Sequence, residues 1–170
     1  MALGRLAGEL VRFQHSTDPE RFFLPSGAEE SYRRWLAREI EDDDAIVLVA
    51  ERDEEIVGYV YGRAERGASA LLLTQHVALR ELLVTQRARR QHVAESLVRQ
   101  LVSTARARGI PRIVLHAATT NLRAQALFRK LGFATTMVEM TLSTREAARS
   151  RQIHRAPRSS VPLPGAGEAR

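Results

Sequence analysis

Leu82-Leu83-Val84 closes an apolar run, Thr85 to Ala88 reads as a turn, and Arg89-Arg90-Gln91-His92-Val93-Ala94 leads into a helical pattern. A strand that feeds a helix N-terminus through a basic loop suits an anion. The first helical N–H groups lack intrahelical partners, and the helix dipole favours negative charge beside them. Successive turn amides can add a concave nest for phosphate oxygens. Arg87, Arg89 and Arg90 would add Coulomb attraction that weakens in salt. The alternative reading of those arginines is a merely solvated helix start. Just upstream, Glu81 lies between Leu79 and Leu83. An apolar setting would raise its pKa toward that of a useful base; the competing reading is an ion pair with a neighbour such as Arg80.

Other chemistries drop out. The chain contains no cysteine, which removes disulfides, thiolate metal sites and acyl-cysteine intermediates. His15, His76, His92, His116 and His154 show no metal-ligand spacing, so no metal is expected. No apolar run approaches the roughly 18 residues of a membrane helix, and no signal-peptide block opens the chain, with Glu9 early. The expectation is a soluble, cytoplasmic protein. The net charge is +6, which raises the question of nucleic acid. From Thr144 onward six arginines face Glu146 and Glu168, a net +4 that leaves +2 for residues 1–143. That balance, and a tail without aromatics for base stacking, argue against a nucleic-acid partner.

The elements that must position these residues follow from periodicity. Leu3, Leu6, Ala7, Leu10 and Val11 fall on one helical face, interrupted by Asp18-Pro19. Ser26 with Glu29 reads as a capping box before a helix burying Tyr32, Trp35, Leu36 and Ile40. Ala45 to Glu51 and Ile56 to Arg63 read as a hairpin around a polar turn, and Val77 to Thr85 as a third strand. A helix over about 93–108, a strand over 112–117, a helix over 121–131 and a last strand from Phe133 to Leu142 complete the pattern. This order describes an α/β protein with a mixed central sheet and helices on both faces. Residues 144–170, rich in Arg, Pro, Gly and Ser, read as a disordered tail.

The segment Val84 to Ala94 resembles the coenzyme A signature of the GNAT acetyltransferase superfamily, Arg/Gln-x-x-Gly-x-Gly/Ala, with Arg89 at its first position and Ala94 at its last. Asn121, Ala124, Leu127, Phe128, Lys130, Leu131, Gly132 and Phe133 resemble a second family block, and Ile56-Val57-Gly58-Tyr59 is also typical. The resemblance spans about residues 3–143 and implies the GNAT acyl-CoA N-acyltransferase fold, with the family's usual first strand missing ahead of Leu3. It implies acetyl-CoA as co-substrate, and a small-molecule or peptide amine as acceptor that attacks the thioester directly. It places the backbone of Leu82, Leu83 and Val84 along the pantetheine arm and the acetyl carbonyl. The amides of Arg89, Arg90, Gln91, His92, Val93 and Ala94 then hold the pyrophosphate, with Asn121 on the coenzyme. For the base it offers Glu81, or His116, five residues before Asn121. Monomer and homodimer both remain open.

Two departures bear on turnover. His92 stands where the signature has its first glycine, which would let backbone approach phosphate closely. Its ring would crowd the pyrophosphate, pair with it, or simply point to solvent. Phe128 stands where many members carry a tyrosine that protonates the leaving thiolate, which phenylalanine cannot do; beside the thioester or in the core it would only pack. An acyl-CoA-binding module with little turnover is therefore the alternative function.

Overall fold

The computed structural model describes residues 2–24, 26–67, 74–142 and 144. The order is α1 (Ala2–Thr17), α2 (Ala28–Ile40), β1 (Ala45–Arg52), β2 (Glu55–Glu65), β3 (His76–Val84), a 3-10 turn (Gln86–Ala88), α3 (Val93–Ala107), β4 (Ile113–Leu115) and α4 (Leu122–Lys130). The sheet runs β1-β2-β3-β4, antiparallel except for the parallel β3–β4 pair. The mixed sheet expected from the sequence is present, with no strand ahead of α1 among the described residues.

Alternation along the strands sends apolar side chains to two separate cores. Ile46, Val60, Val77, Leu79 and Val84 pack against Leu97, Val98, Leu101 and Ala105 of α3 and Phe128 of α4. On the opposite face, Ala45, Tyr59, Tyr61 and Leu83 meet Leu6, Ala7 and Leu10 of α1 and Leu36 of α2. α3 approaches β2 closely because Gly62 has no side chain: a Cβ there would lie 2.8 Å from Val77 Cγ1 and 3.0 Å from Leu101 Cδ1. The β1–β2 turn places Asp53 and Glu54 at φ of 51° and 61°, the left-handed pair that matches strand twist in a tight hairpin.

Some expectations change. The N-cap of α2 is Gly27, left-handed at φ 68°, with no side-chain cap hydrogen bond. The Ser26–Glu29 capping box does not form, because the N-cap position falls one residue later, on a glycine that takes the left-handed conformation at no steric cost and has no side chain to cap with. β4 is three residues long. The final strand is absent: Phe133 to Leu142 joins no ladder. Val138, Met140 and Leu142 do alternate, but all three are exposed, and alternation makes a strand only where a neighbour supplies the hydrogen bonds. The chain divides into two units, residues 1–134 and 135–170. Of the second, only 135–142 and 144 are described, without helix or strand; the rest of the expected tail lies outside the described residues, as do Leu71-Leu72-Leu73. Among the described residues no helix is long and apolar enough to cross a membrane.

Candidate active site

Two irregularities in β3 build the site. The first is a bulge. Tyr61 pairs with Glu81 and Gly62 pairs with Leu79, so Arg80 has no partner of its own. Strict alternation from Val77 and Leu79 would send Glu81 under α3. The extra residue shifts the frame, and Arg80 and Glu81 both line a cavity on the α1/α2 face. There Tyr59 donates its hydroxyl to Glu81 Oε2 at 2.7 Å. Burial pushes the Glu81 carboxyl above the usual glutamate range, partly opposed by that hydrogen bond. Burial also raises the Tyr59 phenol, with the Glu81 charge adding to it, so Tyr59 remains the donor. The alternative partner Arg80 instead pairs with Glu65.

The second irregularity is a wedge. β3 and β4 pair only from Val77–Ile113 to Leu79–Leu115. Beyond that, β3 continues through Leu82, Leu83 and Val84 with β2 on one side and, among the described residues, no strand on the other. Thr85 then ends the strand. It is 8% exposed, and its Oγ1 has no hydrogen-bond partner among the described residues, a costly state for a buried hydroxyl.

The loop to α3 carries the amides. Arg90 and His92 sit at φ of 62° and 61°, while Gln91 between them does not. This alternation turns successive N–H groups toward one side as a nest. Among the described residues, none of the amides of Arg90, Gln91, His92, Val93, Ala94 and Glu95 donates a hydrogen bond. Arg90 makes no hydrogen bond or ion pair there either. Arg89 donates from Nε to the Val84 carbonyl at 3.3 Å, and Arg87 is taken by Glu55. Gln91 contacts Arg52 and donates to the Arg87 carbonyl at 2.9 Å. The β1–β2 turn therefore clamps the loop, a tie that joins residues 32 and 39 positions apart and leaves no local sequence signal.

His92 is exposed, its ring 3.3 Å from Glu95. Glu95 is held at 2.6 Å by Lys130 and at 2.8 Å by Arg99, and Lys130 first among these cations draws its carboxyl down to about 2. A side chain at His92's left-handed φ costs roughly 1–2 kcal/mol; glycine there recovers this less about 0.5–1 kcal/mol of unfolded-chain entropy. His92→Gly should thus raise unfolding free energy in urea by about 0.5 kcal/mol. Because the ring is exposed and engaged by the Glu95 carboxylate, the variant should leave acetyl-CoA affinity within about threefold in calorimetry. A gain of tenfold or more would show that the ring crowds the site.

The remaining sequence-derived residues fall differently. Asn121 is the N-cap of α4, accepting from the Ala124 amide at 3.2 Å. Phe128 is buried, edge-to-face with Phe133 at 5.5 Å. His116 is exposed just past β4, without a hydrogen bond among the described residues. Sequence reasoning gave no site role to the hydroxyls of Tyr59 and Thr85 or to the cavity wall of Tyr32, Trp35 and Tyr61.

Comparison with known proteins points the same way. Human N-acetyltransferase 8 is 35% identical over 88 residues, 52% of this chain; the match spans only 38% of that protein's length. A mutant of the BH1408 protein from Bacillus halodurans superposes with a TM-score of 0.72 at 18% identity, covering 84% of this chain and 91% of that one. Aminoglycoside N-acetyltransferase AAC(6')-Iy, solved in complex with CoA, gives a TM-score of 0.57 at 18% identity, covering 68% of this chain and 90% of its own. These two likenesses establish the fold. The model of the acetyltransferase (GNAT) family matches residues 11–133, from the middle of α1 past the end of α4, and the chain belongs to that family.

Proposed function

We propose that the protein transfers an acetyl group from acetyl-CoA directly to a primary amine of a small molecule or peptide, with Glu81 as the base. The observation that carries this reading is the placement of Glu81. It lines a cavity on one face of β3 and immediately precedes the stretch, Leu82 to Val84, whose free backbone edge pairs with no described strand. The residues present fit the coenzyme. The open edge suits the amide-bearing arm, the undonated amides of Arg90–Glu95 with Arg90 suit a diphosphate, and the Thr85 hydroxyl still lacks a partner.

When bound, acetyl-CoA supplies an activated acyl carbon and a thiolate leaving group. The chain's own residues handle the acceptor. Glu81 accepts one proton from the ammonium and passes it to solvent, freeing the nitrogen lone pair. The C–N bond then forms as the C–S bond breaks, and the second proton ends on the coenzyme A thiol. A lysine-like amine costs roughly 4–5 kcal/mol to neutralise at pH 7, which is what a base offsets. The family's proton donor has no counterpart at Phe128, and the thiolate, with a reference pKa of about 8.5, leaves without one. A cytoplasmic location accords with use of acetyl-CoA.

Free-thiol release over a panel of amines, run beside acetyl-CoA calorimetry, tests the reading. Thiol release that depends on an added amine is expected. Buried Phe128 favours the second reading, an acyl-CoA-binding module, and binding without turnover on any amine would establish that instead.

A further inference from the structure

The cavity beside Glu81 has a volume of about 780 Å³ and lies between α1, α2, β2 and β3, within the ~300–1,000 Å³ typical of small-ligand sites. Its wall is aromatic. Trp35 stands edge-to-face to Tyr61 at 5.0 Å and to Tyr32 at 5.5 Å. Its charged lining is balanced, Glu39 and Glu81 against Arg63 and Arg80, although the chain as a whole carries +6. The two guanidiniums lining it are already neutralised: Arg63 holds Glu39 and Asp42, each at 2.8 Å, and Arg80 holds Glu65. Glu39 also accepts from the Tyr61 hydroxyl at 2.5 Å. Glu81, fixed by Tyr59 alone, is the carboxylate here with no cation partner among the described residues. With Asp42 and Glu65, which lie outside the lining and hold its two guanidiniums, four carboxylates stand against Arg63 and Arg80, with His76 3.5 Å from Glu65.

We infer that this cavity takes an arylalkylamine, a small ammonium compound carried on a flat aromatic body, as the acetyl acceptor. The inference rests on the transferase reading above and names its substrate class. An ammonium group is drawn to Glu81 and to aromatic faces by cation–π attraction. An aryl group pairs with Trp35, Tyr32 and Tyr61 in the offset or edge-to-face geometries that rings prefer. The competing acceptor chemistries fit less well. A polyhydroxylated amino sugar needs many unused hydrogen-bonding groups; Glu39, Arg63 and Arg80 are spent on one another and on Asp42 and Glu65, which leaves Gln14 and Ser31 as uncommitted polar side chains of the described lining. A free amino acid needs an unmatched cation for its carboxylate, and both guanidiniums are matched.

Trp35 is the chain's single tryptophan, so its fluorescence reports this cavity without any need for turnover. Phenethylammonium titrated into the full-length protein should change that emission saturably. 2-Phenylethanol, which keeps the ring and loses the charge, and n-butylammonium, which keeps the charge and loses the ring, should each bind at least about tenfold more weakly. In thiol-release assays kcat/KM for phenethylamine should exceed that for n-butylamine, glucosamine and phenylalanine by about tenfold or more. Trp35→Leu, which keeps an apolar side chain and removes the ring, should shrink the phenethylamine-to-butylamine ratio at least fivefold, chiefly through KM. Equal binding of n-butylammonium, or better turnover of glucosamine or phenylalanine, overturns the inference while the transferase reading stands. Selective phenethylammonium binding with no turnover of any amine supports the cavity's selectivity and defeats the transferase reading instead.

Discussion

Glu81→Gln should lower kcat for an alkylamine acceptor by about 10²–10³-fold, the usual worth of a positioned base, and leave acetyl-CoA binding within about twofold. Glutamine keeps the size of the side chain and can still accept from the Tyr59 hydroxyl, so the fold has no reason to change. It cannot take a proton. The pH profile supplies the sharper reading. Burial holds the Glu81 carboxyl above its ordinary value, and its ionised form is the active base. The acid limb of kcat/KM should therefore rise with pH at a position above that of a typical glutamate, and the glutamine variant should lack it. The titratable groups facing Glu81 are Tyr59 from β2 and Tyr32 from α2, both raised above the ordinary tyrosine range by burial first, so neither produces that limb. Tyr59→Phe removes a hydrogen bond that favours the charged carboxylate, and the limb should then move to higher pH. An unchanged kcat and profile in Glu81→Gln would remove Glu81 from the chemistry.

Leu101→Ala should cost about 3 kcal/mol of stability, within the range for emptying a sealed leucine site. Leu101 is 0% exposed and packs against Gly62, where a Cβ would lie 3.0 Å from Leu101 Cδ1 and 2.8 Å from Val77 Cγ1. The close approach leaves little room for collapse, because the neighbours are backbone and a β-branched side chain. For a domain of this size the melting temperature should fall by roughly 10 °C. Urea denaturation checks the number, and a loss below about 1 kcal/mol would mean that the site repacks. The residue also matters to the site, since α3 presents the undonated amides from its first turn.

The fold was largely legible because its signals are local. The apolar stripe of α3, the polar residues Asp53 and Glu54 between two runs of β-formers, and the Asp18-Pro19 break each act over a few residues. Phe133 to Leu142 misled for the complementary reason: a strand needs a partner, and Val138, Met140 and Leu142 carry the pattern without one. In the site, Glu81 stood out as a carboxylate in an apolar run, and the Thr85–Ala94 turn as an anion site. The bulge at Arg80 was hidden, since nothing in Leu79-Arg80-Glu81 announces that two neighbours will share a face. Tyr59 and the aromatic wall were hidden as well, because their partners lie on other elements; the Tyr59–Glu81 contact spans 22 positions. Local chemistry left the arginines open between anion binding and solvation. The structure divides them: Arg87 is committed to Glu55, and Arg90 has no described partner.

The Glu95–Lys130 ion pair bears on self-modification. Lys130 is the chain's only lysine, and its ammonium is engaged at 2.6 Å by a carboxylate that it helps keep ionised. The chain's one side-chain amine is thus engaged by a carboxylate, and arginine carries the rest of its side-chain positive charge.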